Sequence, residues 1–258
     1  MDLKFLDIMS NALNQFNVVM VSYLNSKPFL YGLQHHAPAH QFKIALAPPS
    51  LCASTFLENK ADLALIPVGA LATIGDHKIV TKYCIGCDGA VRTVCLFSNT
   101  PLDEITVVYL DEDSRTSVIF TKILFDSYFK KTVKYVNAIK YQNLKHGEAA
   151  LLIGDKVFYI EHTFAYKYDI GEIWKLWTGL PIAFAVWVAK PWIEPQVIDT
   201  LDNALKYGLS HMEEAIAPYK TEHLDLDSYF RNNIDYVLDD KKLQSLQLFM
   251  EKRQTLKI

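Results

Sequence analysis

The sequence predicts an α/β protein of two lobes with a ligand cleft between them, and three observations lead there. From Val18 to Ile74, short apolar runs of strand length alternate with segments of helical period, and after Asn99-Thr100-Pro101 the alternation starts again. A later apolar strand, Ala183 to Ala189, precedes a stretch that is helical in pattern, as expected if it returns the chain to its first lobe. The first apolar run ends abruptly in Ser22-Tyr23-Leu24-Asn25-Ser26 ahead of Pro28. Such strand-loop-helix junctions lie at the carboxyl edge of open sheets, where ligands bind.

Val18 to Val21 is β-branched or long and apolar without alternation, which suits a strand covered on both faces. Ser26 is placed to cap the following helix, Pro28 fits its first turn, and Phe29, Leu30 and Leu33 supply its apolar face. Phe42 to Leu46 reads as the second strand. Pro48-Pro49-Ser50 opens the next helix, with Ser50 as cap and Cys52, Phe56 and Leu57 on one face; Asn59 and Lys60 close it. Asp62 to Pro67 is a third buried strand, leaving the sheet at the same edge as Ser22 and Asn25. Val68 to Ile74 begins a short helix, and Lys78 to Ile85 and Val91 to Ser98 are extended. Three strand-helix units in succession predict a parallel sheet.

Ile105 to Leu110 restarts the pattern, and Asp111-Glu112-Asp113-Ser114 leads into a helix whose face includes Phe120, Ile123, Leu124 and Tyr128. Val133 to Val136 and Ala149 to Ile153 are further strands of the second sheet, and the aromatic-rich Val157 to Trp177 reads as mixed helix and loop. Beyond the return strand, Val197, Leu201, Leu205 and Met212 mark one helical stripe, and Leu243, Leu246 and Met250 another. The first lobe is thus expected to comprise residues 1–98 and 188–258 and the second 99–187, with crossings near Ser98 and Trp187. This is the layout of the type II periplasmic-binding-protein-like folds. There is no internal repeat or long Gly/Ser/Pro linker, so two short crossing strands are expected to serve as the hinge.

At 258 residues and 50% hydrophobic composition, the chain can bury one large core or two modest ones. A net charge of −3 and a pI near 6.2 give no field to gather nucleic acid, and no basic run is interleaved with aromatics, so no nucleic-acid partner is expected. The start, Met1 to Asp7, carries acids and lacks the basic residues, apolar core and cleavage site of a signal peptide. The longest apolar stretch, Leu180 to Ala189, is about half of the ~20 residues that a membrane span needs. A soluble, cytoplasmic protein without a membrane partner is expected, with reduced thiols at Cys52, Cys84, Cys87 and Cys95.

Cys84-Ile85-Gly86-Cys87 is a single pair, whereas zinc sites normally have four ligands, and strand residues three apart face opposite ways, so no metal is expected. His35 and His36 fall in a polar loop, His146 on the surface, and His162 among aromatics, where packing is the ordinary role. No Ser/His/Asp triad, phosphate loop or dinucleotide fingerprint is present. An enzyme with this sequence needs little acid-base apparatus of its own.

Ser22-Tyr23-Leu24-Asn25-Ser26-Lys27-Pro28 resembles the opening motif of the MqnA-type chorismate dehydratases, the first enzymes of the futalosine route to menaquinone. Four further stretches match in order: Asp88-Gly89-Ala90-Val91-Arg92-Thr93-Val94, Ser114-Arg115-Thr116-Ser117, Leu152-Ile153-Gly154-Asp155, and Trp177-Thr178-Gly179-Leu180-Pro181 running into Phe184-Ala185-Val186-Trp187. Thr93 departs from the Ser expected in most relatives, keeping the hydroxyl and adding a methyl. The resemblance implies a two-lobed periplasmic-binding-protein-like fold and a hydro-lyase without a cofactor. It implies chorismate as small-molecule substrate, losing water across ring positions 3 and 4 to give 3-[(1-carboxyvinyl)oxy]benzoate. Two other readings stay open. A non-catalytic binder of small carboxylates would use the same fold, against which the missing signal peptide counts. The related naphthoate synthase of the pathway is disfavoured by the Ser22-to-Pro28 and Ser114-to-Ser117 motifs.

The matched motifs carry the candidate site. Ser114 to Ser117 stands where a strand gives way to a helix, so backbone N–H groups and the helix dipole offer a carboxylate site; an ordinary Ser cap is the plainer reading of Ser114. Thr116 and Ser117 hydroxyls add donors. Arg92 and Thr93, read as neighbours on a strand, face opposite ways; the family motif assigns Thr93 to the cleft, leaving Arg92 to pair with an acid behind the sheet. Arg115 becomes the main arginine candidate for a substrate carboxylate, with bracing of the lobes as its other use. Gly154 offers a backbone N–H, and Asp155 either caps the next segment or approaches the ligand. Ser22 and Asn25 are expected to orient the ring and the leaving hydroxyl, and Asn25 and Thr93 are the residues assigned to catalysis.

Overall fold

The computed structural model of the protein describes residues 15–111, 114–138, 140–221 and 224–256. The acidic start Met1 to Asp7, and Glu112 and Asp113 ahead of the second-lobe helix, lie outside the described residues. The chain opens with β1 (Phe16–Val21), α1 (Lys27–His35), β2 (Phe42–Ala47), α2 (Pro49–Leu57), β3 (Leu63–Pro67), a 3-10 turn over Val68–Thr73, and β4 (Lys78–Cys87). The second lobe holds β5 (Val94–Ser98), β6 (Val107–Leu110), α3 (Arg115–Ile123), β7 (Lys134–Asn137), β8 (Glu148–Ile153), α4 (Val157–Ile160), β9 (Tyr166–Asp169) and α5 (Ile170–Thr178). The chain then returns through β10 (Ile182–Ala189), α6 (Pro195–Ser210), α7 (Met212–Ile216), α8 (Leu226–Asn232), β11 (Asp235–Val237) and α9 (Asp240–Thr255).

The first sheet has the order β11-β4-β10-β3-β1-β2 and the second β7-β6-β8-β5-β9. Both are mixed. β1 pairs parallel with β2 and β3, but β10 runs antiparallel between β3 and β4. In the second sheet β6 pairs parallel with β7 and β8, and β5 runs antiparallel between β8 and β9. Each crossing therefore supplies an antiparallel strand, the edge strand β11 adds another beside β4, and both crossings fall earlier than the sequence suggested. The chain leaves the first sheet between Cys87 and Val94, not near Ser98, and re-enters it before Ile182, not near Trp187. Since β5 and β10 are buried along their whole length, apolar pattern alone does not say which sheet they join.

Turn chemistry marks the crossings better. Gly89 (φ 114°) and Arg92 (φ 66°) bend the first, so Val91 to Thr93 is a turn and not strand, and Gly179 (φ 73°) ends α5 at the second. Asp169 pins the first crossing by accepting the Val91 and Arg92 N–H groups at 3.0 and 2.7 Å, and it caps α5 through the Gly171 N–H at 2.9 Å. Arg92 does pair with an acid, donating to Glu161 at 2.8 Å. Burial alone would raise the Glu161 carboxyl, but Arg92 and Lys167 outweigh it and hold it below the usual carboxylate range.

Other local readings change too. Ser50 lies inside α2, whose cap position is Pro48, and Leu57 is exposed. The buried face of α9 is Lys242, Ser245 and Phe249 instead of the Leu243 stripe, because Lys242 pairs with Asp235 and Ser245 accepts the Trp174 Nε1–H at 2.9 Å. Phe120 of α3 packs against Trp174, Phe184 and Phe249, so the apolar core is continuous from lobe to lobe. No helix among the described residues is long and apolar enough to cross a membrane.

Helices α1 and α6 meet at two glycines. A Cβ on Gly208 would lie 1.8 Å from the Pro28 carbonyl oxygen, and one on Gly32 would lie 1.9 Å from that of Ala204. Since backbone atoms cannot step aside without moving a helix, Gly208→Ala should destabilise the protein by about 3 kcal/mol. Denaturant unfolding checks this, and an unchanged midpoint would contradict the packing.

Candidate functional site

The loop after β1 is held in place by its own sequence. Ser26 is fully buried and does not cap α1; its hydroxyl proton is shared between the Val21 and Tyr23 carbonyls. From β11 the Tyr236 phenol donates to the Asn25 carbonyl at 2.7 Å. Backbone anchoring thus leaves the Asn25 side chain for other work, and its Oδ1 is buried with no hydrogen-bond partner among the described residues. A buried acceptor without a donor is costly, so Oδ1 marks a place for a ligand or water.

Across the cleft, α3 starts at the pocket wall. Ser114 caps it, accepting the Ser117 N–H at 3.2 Å, with the two serine hydroxyls 2.8 Å apart. The Thr116 hydroxyl accepts the Gly69 N–H at 2.9 Å and lies 3.4 Å from the Phe184 carbonyl, so it ties the lobes together and is not a free donor for a carboxylate. Close approach at this point needs a glycine, because a Cβ on Gly69 would lie 2.7 Å from the Thr116 nitrogen. Thr93, in the first crossing, has its hydroxyl 3.1 Å from the phenol of Tyr229 on α8.

The lobes also touch at the cleft mouth. Gly154 is left-handed (φ +74°), and a Cβ there would lie 2.9 Å from Cζ of Tyr23. Next to it, both Asp155 oxygens stand 3.2 Å from the Leu24 nitrogen and accept its N–H. Burial pushes the Asp155 carboxyl up, while the Leu24 N–H and the Lys27 ammonium oppose the rise; burial lowers Lys27 in turn, and Asp155 opposes that.

Between these contacts lies a pocket with about 550 Å³ of empty space, its open side included. Its walls carry the hydroxyls of Thr93, Ser114 and Ser117, the Asn25 amide, and apolar surface such as Ile85, Ile153 and Phe184. Among the described residues, none of the side chains lining it is charged.

Residues 16–255 match the profile of a family described as menaquinone biosynthesis. The chain belongs to that family. Solved structures add the fold. The protein AF1704 from Archaeoglobus fulgidus aligns with a TM-score of 0.71 at 12% identity, over 93% of this chain and 97% of that one. The Candida albicans CA3427 gene product, which exhibits the generic periplasmic binding protein fold, aligns at 0.60 and 13% identity over 95% and 92%. The periplasmic aliphatic sulphonate binding protein SsuA from Escherichia coli aligns at 0.58 and 14% over 95% and 94%. At such identities the likeness establishes the fold alone: this menaquinone-biosynthesis protein has the two-lobed periplasmic-binding-protein-like architecture, with its pocket between the lobes.

Of the residues that the sequence motifs single out, Asn25, Thr93, Ser114, Thr116, Ser117 and Gly154 line the pocket of this family member. Ser22, Arg115 and Asp155 do not. Ser22 continues the β1 ladder through its N–H to the Ala47 carbonyl at 3.0 Å. Arg115 is the first residue of α3 and is exposed, and Asp155 is turned to the Leu24 N–H. His162 is also exposed, its side chain 89% accessible, and not packed among aromatics. Sequence reasoning missed Tyr23 and Phe184 as pocket walls, although both lie within the matched motifs. Tyr229 was missed because no motif covers it; only the fold brings α8 to Thr93.

Proposed function

We propose that this protein is a chorismate dehydratase, a carbon-oxygen lyase of the futalosine branch of menaquinone biosynthesis that forms 3-[(1-carboxyvinyl)oxy]benzoate and water without a cofactor. Membership of the menaquinone-biosynthesis family supports the pathway. The observation that carries the finer reading is a pocket wall of hydroxyls and one unpartnered amide oxygen, with no charged side chain among the described lining residues. Such a site suits a reaction in which the product ring becomes aromatic, so that placement matters more than strong acid-base groups.

In this reading the start of α3, with Ser114 and Ser117, holds one carboxylate, and Thr93 holds another. Asn25 accepts from the departing ring hydroxyl. The substrate's enolpyruvyl carboxylate takes the proton at ring position 3 and hands it to the hydroxyl on ring carbon 4, the electron pair of the broken C–H bond forms the new ring double bond, and the C–O bond breaks to release water. With no cationic side chain among the described residues that line the pocket, a desolvated carboxylate is a stronger base than in water, which supports this internal role. A cytoplasmic location belongs to the same reading, and four buried thiols outside any disulfide fit it.

Purified protein incubated with chorismate should yield a product lighter by one water, with the ultraviolet absorption of a substituted benzoate. Saturable binding of chorismate without turnover would favour a non-catalytic carboxylate-binding protein of this fold instead.

A further inference from the structure

We infer that Tyr229 is a positioning residue that makes Thr93 a hydrogen-bond donor to the pocket, which with the open acceptor of Asn25 lets the site select a ligand carrying both a carboxylate and a hydroxyl. The inference rests on the dehydratase reading for its substrate but on the geometry of α8 for its logic.

Tyr229 is 1% exposed, and its ring packs edge-on against Phe158 with centroids 5.0 Å apart. Its phenol oxygen lies 3.1 Å from Thr93 Oγ1, in a pair where either oxygen is able to donate. A buried phenol proton needs an acceptor, and Thr93 is the hydroxyl it meets. When Tyr229 donates to Thr93, the Thr93 proton turns to the pocket that this side chain lines. The reverse arrangement would use up the Thr93 proton within the protein. It would also leave the wall without that donor.

Burial pushes the Tyr229 phenol well up, so it stays protonated and has a proton to donate. Asn25 supplies the complementary group. On the same pocket wall its Oδ1 is buried and unpartnered among the described residues, an acceptor open to a ligand hydroxyl. The pocket thus offers an acceptor at Asn25 for a ligand hydroxyl and, at Thr93, a donor for a ligand carboxylate that the hydrogen bond from Tyr229 strengthens.

The test is a double-mutant cycle on affinity for 3-hydroxybenzoate, a probe with one carboxylate and one hydroxyl, measured by calorimetry. Tyr229→Phe keeps the ring on Phe158 and should weaken binding by about five- to tenfold, and Thr93→Val by about tenfold. The double variant should lose clearly less than the product of the two, because both remove the same donor. Full additivity, an unaffected Tyr229→Phe, or a wild type that does not bind the probe would overturn the inference. A merely structural Tyr229 would lower the melting temperature without coupling to Thr93. The same four proteins are then assayed with chorismate. No turnover by the wild type would remove the dehydratase reading, and the affinity cycle would still decide this one.

Discussion

Asn25→Ala should lower kcat by at least about 100-fold while leaving KM within a few-fold, the largest effect of any single pocket substitution. The reason is that Oδ1 is a buried acceptor without a partner among the described residues, so its interaction is made only with what enters the pocket, and by accepting from the ring hydroxyl it aims that oxygen's lone pairs at the proton that makes it water. The loop itself should survive. Tyr236 holds the Asn25 backbone carbonyl, and Ser26 ties the same loop to the Val21 and Tyr23 carbonyls, so the deleted amide is not what folds it. Steady-state kinetics on protein of unchanged melting temperature check this. Unchanged kcat with a raised KM would reduce Asn25 to holding the ligand.

Gly154→Ala should cost about 100-fold in kcat/KM through a different route. A methyl there would lie 2.9 to 3.2 Å from three atoms of the Tyr23 ring, and the left-handed backbone (φ +74°) penalises any side chain by ~1–2 kcal/mol. Since Tyr23 belongs to the first lobe and Gly154 to the second, relief comes by parting the lobes. That displaces Ser114 and Ser117 from Asn25 and stretches the Asp155 contact to the Leu24 N–H. Small-angle scattering in the presence of product should give a larger radius of gyration for the variant than for the parent. Wild-type kinetics with unchanged scattering would mean that this contact has no part in closing the cleft.

The same two residues show how far the sequence could be read. Asn25 and Gly154 stand in motifs where a small polar loop or a glycine follows an apolar strand, and the fold puts both at the pocket. Local chemistry was enough for them. Arg115 was drawn into the site by its charge, yet the first residue of a helix points where the helix turns it, and α3 turns it to solvent. Ser26 has the right residue type for a cap but is bound by carbonyls behind it. The strands β5 and β10 were legible as strands and illegible as members of a sheet, because an all-apolar run pairs equally well with either core until the turns at Gly89, Arg92 and Gly179 decide. Short or polar elements escaped altogether: β9 is Tyr-Lys-Tyr-Asp and β11 has three residues. Tyr229 and Tyr236 act on the site over more than 130 positions of sequence, a separation that no local pattern reports.

The central claim is that an uncharged pocket between the lobes dehydrates chorismate by placement, with the substrate supplying the base. The most direct measurement is the pH dependence of kcat for aromatic product formation from chorismate. Burial raises the Tyr229 phenol well above its ordinary value, and no carboxyl, imidazole, thiol or amine side chain is among the described residues that line the pocket. The account therefore predicts product, with kcat flat from about pH 6.5 to about pH 9. Absence of product, or a bell-shaped profile with a limb in that range that a single side-chain substitution abolishes, would contradict it.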